Sequence, residues 1–205
     1  MYFFVVVLQK PLTGNPSTTN TVIFILDLLA WNPEAQEKLY QEIKNVIPEG
    51  KSVSQEYLKE LHYLKAVVKE SMRLRPVTPL LVRILDTDVV LCGYNVPAGK
   101  VLTIHSTAMG RNPKLFPNPE KFLPDRWLRS NKESHDINQF TIQPFGFGPR
   151  QCVGRRVAEL EIYITLTKIL QNFRLEPNSD KPLEMTTRLI TVPATKLNLK
   201  FRDRD

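Results

Sequence analysis

The chain has 205 residues and only two cysteines, and one of them, Cys152, stands in FGFGPRQCVGRR, the stretch from Phe145 to Arg156. Arg150, Arg155 and Arg156 flank it, and an amphipathic pattern follows. Nearby positive charge and the unpaired N–H groups of a helix start favour negative charge on sulfur, the form that binds metal. Gly146, Gly148 and Gly154 permit tight turns and let a flat group approach the backbone closely. Residue chemistry alone leaves a second reading open: a buried structural thiol at the first turn of a helix, the commoner fate of a lone cysteine. The other cysteine, Cys92, sits in LCGYNVPAG, a strand-to-turn context without positive charge, and reads as structural.

Elements that would position this loop are legible from periodicity. From Ser17 to Ile43 the pattern is helical, with Val22, Ile25, Leu26 and Leu29 on one stripe and a break at Asn32–Glu34, where Pro33 suits a first helical turn. A third helix is expected from about Ser54 to Leu74, its apolar stripe carried by Tyr57, Leu61, Leu64, Val68 and Met72. Glu70 and Arg73, three apart in ESMR, fall nearly opposite that stripe, so spacing alone predicts an exposed, solvated pair. Between Leu80 and Thr107, β-branched runs broken by turns predict one small sheet of short strands. Residues 110–150 are rich in Pro, Asn and Gly, an unusually long connection unless packing or function holds it. A fourth helix follows Cys152, with Val153, Val157, Leu160, Ile164 and Phe173 on its expected inner face, and Leu183 to Phe201 reads as short strands. The fold class is mainly α with small β-sheets.

Length and a hydrophobic content of 42 % fit one globular unit with a sizeable core. The formal net charge of +7 suits acidic partners. Basic residues are spread through helical patterns rather than interleaved with aromatics, which argues against nucleic acid. Two cysteines and three scattered histidines are too few for a disulfide scaffold or a closed zinc site, and a reducing compartment follows. The apolar start MYFFVVVL is far shorter than the roughly 20 residues of a membrane span. It ends at Lys10-Pro11 without a cleavage pattern, so no targeting segment is expected within it.

The loop resembles the haem-binding signature of the cytochrome P-450 monooxygenases, F-x-x-G-x-R-x-C-x-G, through Phe145, Gly148, Arg150, Cys152 and Gly154. The resemblance implies the carboxyl-terminal part of that fold and haem b with Cys152 thiolate as axial ligand. It implies Phe145 shielding the sulfur, Gly146 shaping the loop, and Arg150 and Arg83 (in RPVTPLLVR) on the haem propionates. ESMR matches the family's E-x-x-R, and Arg126 of PDRW matches the third member of its Glu-Arg-Arg triad. The resemblance therefore expects Glu70, Arg73 and Arg126 to be covered by the long middle segment and to clamp it. His105 matches a haem-side strand position, although a lone histidine is more often structural.

RWLR and GRRVAELE resemble the mitochondrial class, whose electrons come from an acidic ferredoxin of the adrenodoxin type. Lys65 and Lys69 match that class's donor-binding lysines, with Arg155 and Arg156 as possible additions; a solvated basic face is the plain alternative. The implied activity is insertion of one oxygen atom from O2 into a lipophilic substrate. Peripheral membrane association of the full-length protein is implied too, at the mitochondrial inner membrane, or at the endoplasmic reticulum with a flavoprotein reductase as donor. Two departures stand out. The family's oxygen-activating segment aligns with Thr13, Gly14, Asn15, Pro16, Ser17 and Thr18, so proline replaces the acidic residue while Ser17 and Thr18 keep hydroxyls. Residues 1–12 have no counterpart, residues 13–205 match only the carboxyl-terminal half, and a non-catalytic remnant is the alternative reading.

Overall fold

The computed structural model describes residues 16–131, 137–138 and 140–204. Residues 1–12 and Thr13, Gly14 and Asn15 of the aligned oxygen-activating segment lie outside the described residues.

Helix α1 (Pro16–Trp31) is the centre of the molecule: Thr18 to Ala30 are all buried, including Ile23, Phe24 and Leu28 off the expected stripe. A helix apolar on nearly every face has to be surrounded rather than laid on a surface. Asn32 ends it and caps it, donating from Nδ2 to the Leu28 carbonyl at 2.7 Å. Pro33, the first residue of α2 (Pro33–Val46), needs no intrahelical N–H partner there. Leu39 and Ile43 of α2 enter the core with Gln36. The Gln36 amide donates to the carbonyls of Leu29 and Leu175, both at 3.0 Å, and accepts from Leu175 N at 2.8 Å. One buried side chain thus ties α1 and α2 to a strand far along the chain.

The expected third helix is two helices, α3 (Gln55–Glu60) and α4 (His62–Leu74), broken at Leu61. The physical cause lies on α2. Glu42 accepts from the backbone N–H groups of Tyr63 at 2.6 Å and Leu64 at 2.9 Å, capping α4 from outside and giving it its own start. The expected single sheet is likewise two separate antiparallel ribbons. Strand β1 (Leu80–Ile84) pairs with β4 (Val101–His105), placing Arg83 opposite Leu102. Between them β2 (Val89–Leu91) and β3 (Tyr94–Val96) form a hairpin. Its turn residues Cys92 and Gly93 have φ of 50° and 84°, the left-handed pair that a tight two-residue hairpin demands. His105 accepts from Ala108 N at 3.3 Å and so caps the short α5 (Ser106–Gly110), a structural job.

The last helix, α6 (Arg155–Asn172), runs into β5 (Phe173–Pro177), which pairs with β8 (Leu199–Asp203); β6 (Met185–Thr187) pairs with β7 (Thr191–Pro193). The inner face of α6 is Ile162, Leu166 and Leu170, while Val153, Val157 and Leu160 are exposed, contrary to the expected stripe. Two apolar stripes coexist on this helix, and periodicity alone cannot choose between them; packing of Ile162, Leu166 and Leu170 into the common core with α1 does. A buried ion pair absent from the sequence reading joins α1 to the end of α4: Arg75 donates to Asp27 at 2.7 Å, and Asp27 also accepts from Leu183 N at 3.2 Å.

Candidate haem site

Two glycines shape the cysteine loop. Gly146 and Gly148 adopt φ of 73° and 72°, a conformation that L side chains rarely accept. The chain doubles back there, so Cys152 N donates to Phe145 O at 2.8 Å. Gly148–Arg150 forms a single 3₁₀ turn, and α6 starts at Arg155. Cys152 therefore precedes the helix rather than occupying its first turn. It is unpaired and exposed, which removes the buried structural thiol as its explanation. Gly154 is less constrained: a Cβ there would meet Sγ of Cys152 at 3.9 Å, an ordinary contact.

Cys152 opens onto a cavity of about 270 Å³. Ser17, Thr18 and Thr21 line it from α1, Leu81 and Arg83 from β1, Phe145, Gly146, Arg150 and Gly154 from the loop, and Ile162 from α6. Residues far apart in sequence thus meet in one cleft; Gly148 shapes the loop without lining it. Arg83 donates to the neighbouring Val82 carbonyl at 2.8 Å, and among the described residues neither Arg83 nor Arg150 has a carboxylate partner. Phe145 is half-buried, with the Arg155 guanidinium 5.6 Å from its ring centre. No group of three or more metal-ligating side chains occurs among the described residues. A single thiol can hold a metal that brings its other ligands with it, and two unpaired guanidiniums suit a dianionic rim. The donor set fits an iron porphyrin.

The long middle segment is held by charge. Glu70 and Arg73 are 0 % exposed and Arg126 is 3 % exposed, so the solvated-pair expectation fails. Arg73 makes a two-pronged contact with Glu70, Nε to Oε2 and Nη2 to Oε1, each 2.8 Å. Arg126 Nε reaches Glu70 Oε1 at 3.1 Å. Both guanidiniums also donate to backbone carbonyls: Arg73 to Gly110 and Pro119 at 2.6 Å and Lys121 at 3.0 Å, Arg126 to Pro117 at 3.1 Å and Asn118 at 3.4 Å. Phe116 packs beneath both guanidiniums, 5.1 and 5.9 Å from its ring centre. Spacing misled because an α4 face that looks polar is roofed by a loop with no periodicity to reveal it.

Sequence reasoning missed two members of this clamp. Trp127 donates from Nε1 to Glu70 Oε2 at 2.8 Å, and its place beside Arg126 in PDRW was the available signal. Gly110 is the other: a Cβ there would lie 2.7 Å from the Arg73 carbonyl oxygen, closer than real Cβ contacts. We expect Gly110→Ala to push α5 off α4 and to lower stability by about 1–3 kcal/mol, read as a drop in thermal midpoint.

Lys65 and Lys69 share a face of α4. Lys65 donates to the Lys59 carbonyl, and Lys69 lies 4.1 Å above the Trp127 ring. Although Lys69 reaches solvent, crowding by its surroundings desolvates the ammonium and lowers its pKa, and the charge of Arg155 adds to the effect. With Arg155, Phe145, Phe147 and Gln151 these lysines border a groove of about 650 Å³ on the flank of the cysteine loop. Arg155 pairs with Glu159 at 3.0 Å, and Arg156 does not line the groove.

A family model described as Cytochrome P450 matches residues 12–201. The chain belongs to the cytochrome P450 family. It is 39 % identical over 201 residues to the mitochondrial 1,25-dihydroxyvitamin D(3) 24-hydroxylase of Rattus norvegicus, which covers 98 % of this chain and 38 % of the relative's length. It is 39 % identical over 185 residues to the mitochondrial cholesterol side-chain cleavage enzyme of Hypanus americanus, covering 90 % of this chain and 35 % of that protein. Cytochrome P450 3A13 of Mus musculus matches at 36 % over 194 residues, covering 94 % of this chain and 38 % of that protein. The chain thus spans under two fifths of the length of these relatives. No helix among the described residues is long and apolar enough to cross a membrane.

Proposed function

We propose that this chain is the haem-ligating part of a monooxygenase of the mitochondrial class, acting on a lipophilic substrate. The observation that carries the proposal is the convergence on one cleft of an exposed Cys152 outside any disulfide, two arginines without carboxylate partners among the described residues, and three α1 hydroxyls. When bound, haem would supply dioxygen activation with electrons from outside; the chain supplies ligand, cleft and electron entry. Cys152 would supply the thiolate that binds the iron, and Arg83 and Arg150 would hold the propionates. Phe145, partly buried against the core, would shield the sulfur once haem fills the cleft, and the turns at Gly146 and Gly148, with Gly154 beside the sulfur, would set its presentation. Ser17 and Thr18, which line the same cleft from α1, would supply hydroxyls for proton delivery. The first turn of α1, which begins at Pro16, contains no carboxylate, so protons would come from solvent. That same feature favours the second reading, a remnant that binds haem without turnover. Adding haem to the chain and recording the reduced carbon monoxide spectrum tests the assignment: a thiolate-type, long-wavelength Soret band supports it, and its absence with haem present overturns it. Oxygenated product under reducing conditions then separates the enzyme from the remnant.

An acidic ferredoxin is the electron donor in this proposal, and two relatives named mitochondrial support that compartment. Lys65 and Lys69 would steer it to the groove beside the cysteine loop. Reversing both charges, Lys65→Glu with Lys69→Glu, should slow haem reduction by ferredoxin about tenfold or more at unchanged haem content. Equal rates in stopped-flow reduction would leave the two lysines as a solvated face.

A further inference from the structure

The groove beside the cysteine loop and the cleft onto which Cys152 opens are neighbours with a common wall. Met72 from α4 lines both, and so do Pro144, Phe145 and Gly146 from the loop. Cys152 lines the cleft and not the groove, so this wall stands between the sulfur and the groove. Lys65, Lys69, Gln151, Arg155 and Glu159 border the groove, and polar groups of that kind hold water. The wall therefore separates a wet space from the space that contains the sulfur.

Pro144 and Gly146 bring little side chain to this wall, and Phe145 is partly buried against the core. The long side chain on the helix side is Met72, which is 9 % exposed. An unbranched thioether bends into irregular gaps that a branched side chain leaves open. Periodicity assigns Met72 only to an apolar stripe; the two cavities show what that end of the stripe faces. Its backbone is held from behind. Glu70 lies about 200° around the α4 axis from Met72, and Glu70 is locked to Arg73 and Arg126 in the buried clamp. The clamp thus grips one side of α4 while Met72 faces the cysteine loop from the other.

Resting on the reading of Cys152 as the iron ligand, we propose that Met72 is a positioning residue that keeps the thiolate dry from the groove side. With haem in the cleft, the wall shared by Met72 and Phe145 is what parts the sulfur from groove water. A thiolate that accepts hydrogen bonds from water gives less electron density to its metal, and solvent also stabilises the extra negative charge of the reduced state. Both effects make reduction easier. Met72 acts through the sulfur, and its consequence is a low reduction potential.

The 205-residue chain is loaded with haem, its reduced carbon monoxide spectrum is recorded, and its midpoint potential is measured by anaerobic titration with mediator dyes. Met72→Ala should favour the reduced state about tenfold over the unaltered chain, a rise of about 59 mV for one electron. Met72→Gln, similar in length but carrying an amide donor, should shift the potential in the same direction. Met72→Leu, apolar and of similar volume, should return the original potential. Val67→Ala is the comparator: Val67 is 0 % exposed on the same helix and lines neither cavity, so its truncation loosens the core without wetting the sulfur. If Met72→Ala and Met72→Gln match the unaltered chain while the thiolate-type band is present, the role of Met72 is wrong and the ligand assignment stands. An equal shift in Val67→Ala or Met72→Leu also overturns that role, since general loosening would then be the cause. Should Met72→Ala not fold, Met72→Gln against Met72→Leu decides the question, because neither opens a void. Absence of the thiolate-type band from the unaltered chain with haem bound removes the ligand reading and this inference with it.

Discussion

Cys152→Ala should abolish the thiolate-type band of the reduced carbon monoxide spectrum while leaving the far-ultraviolet circular dichroism of the chain unchanged. The two halves of that expectation have separate causes. Cys152 is exposed and is tied to the fold by its backbone, through the hydrogen bond from its N–H to Phe145 O at 2.8 Å, which alanine keeps. No methylene is withdrawn from the core, so no cavity penalty arises. The ligand, in contrast, cannot be replaced nearby. Of the described histidines, His105 caps α5 and His62 sits at the start of α4, and neither lines the cleft. Cys92→Ala is the matched control, since Cys92 sits at the tip of the β2–β3 hairpin and should leave the band intact. A band that survives in Cys152→Ala, or disappears in Cys92→Ala, removes Cys152 as the iron ligand. Cys152→Ser sharpens the test, because oxygen in place of sulfur would retain haem with a different spectrum.

How far the sequence could see depended on whether a feature was local. The Phe145–Arg156 loop was readable because its glycines, cysteine and arginines are contiguous and its turns are set by backbone conformation. The short strands between Leu80 and Thr107, the Pro33 start of α2 and the short carboxyl-terminal strands were readable for the same reason, although their division into two ribbons was not. Long-range partners were not. The break at Leu61 is imposed by Glu42 from another helix, and no residue within 54–74 announces it. The core face of α6 was misassigned because two apolar stripes compete and only α1 decides between them. The Asp27–Arg75 pair was missed because an aspartate inside an apolar helix and an arginine before a proline each have innocent explanations alone. Burial of Glu70 and Arg73 was the sharpest conflict: spacing said solvent, family resemblance said interior, and the covering loop placed them at 0 % exposure.

That burial sets the second large expectation. Glu70→Ala should destabilise the fold by about 3–5 kcal/mol, enough to unfold a marginal domain at physiological temperature. Glu70 accepts five hydrogen bonds: two from Arg73 at 2.8 Å, one from Arg126 at 3.1 Å, one from Leu123 N at 2.9 Å and one from Trp127 at 2.8 Å. Removing the carboxylate strands two guanidiniums away from water and also releases the loop that roofs them. Each arginine still has backbone carbonyls, which satisfy hydrogen bonds but carry no net charge, so the electrostatic penalty stays uncompensated. Glu70→Gln should be severe as well, since its amide nitrogen would turn a donor toward N–H groups already pointing inward. The loss is measured by urea unfolding, with Trp127 as an internal witness in the Trp31→Phe background. Its indole loses its acceptor in Glu70→Ala, and its emission should move to longer wavelength before the global transition as the 110–131 segment lifts from α4. A loss below about 1 kcal/mol, the scale of an exposed ion pair, would mean that Glu70 faces solvent and that the roof over α4 is not closed.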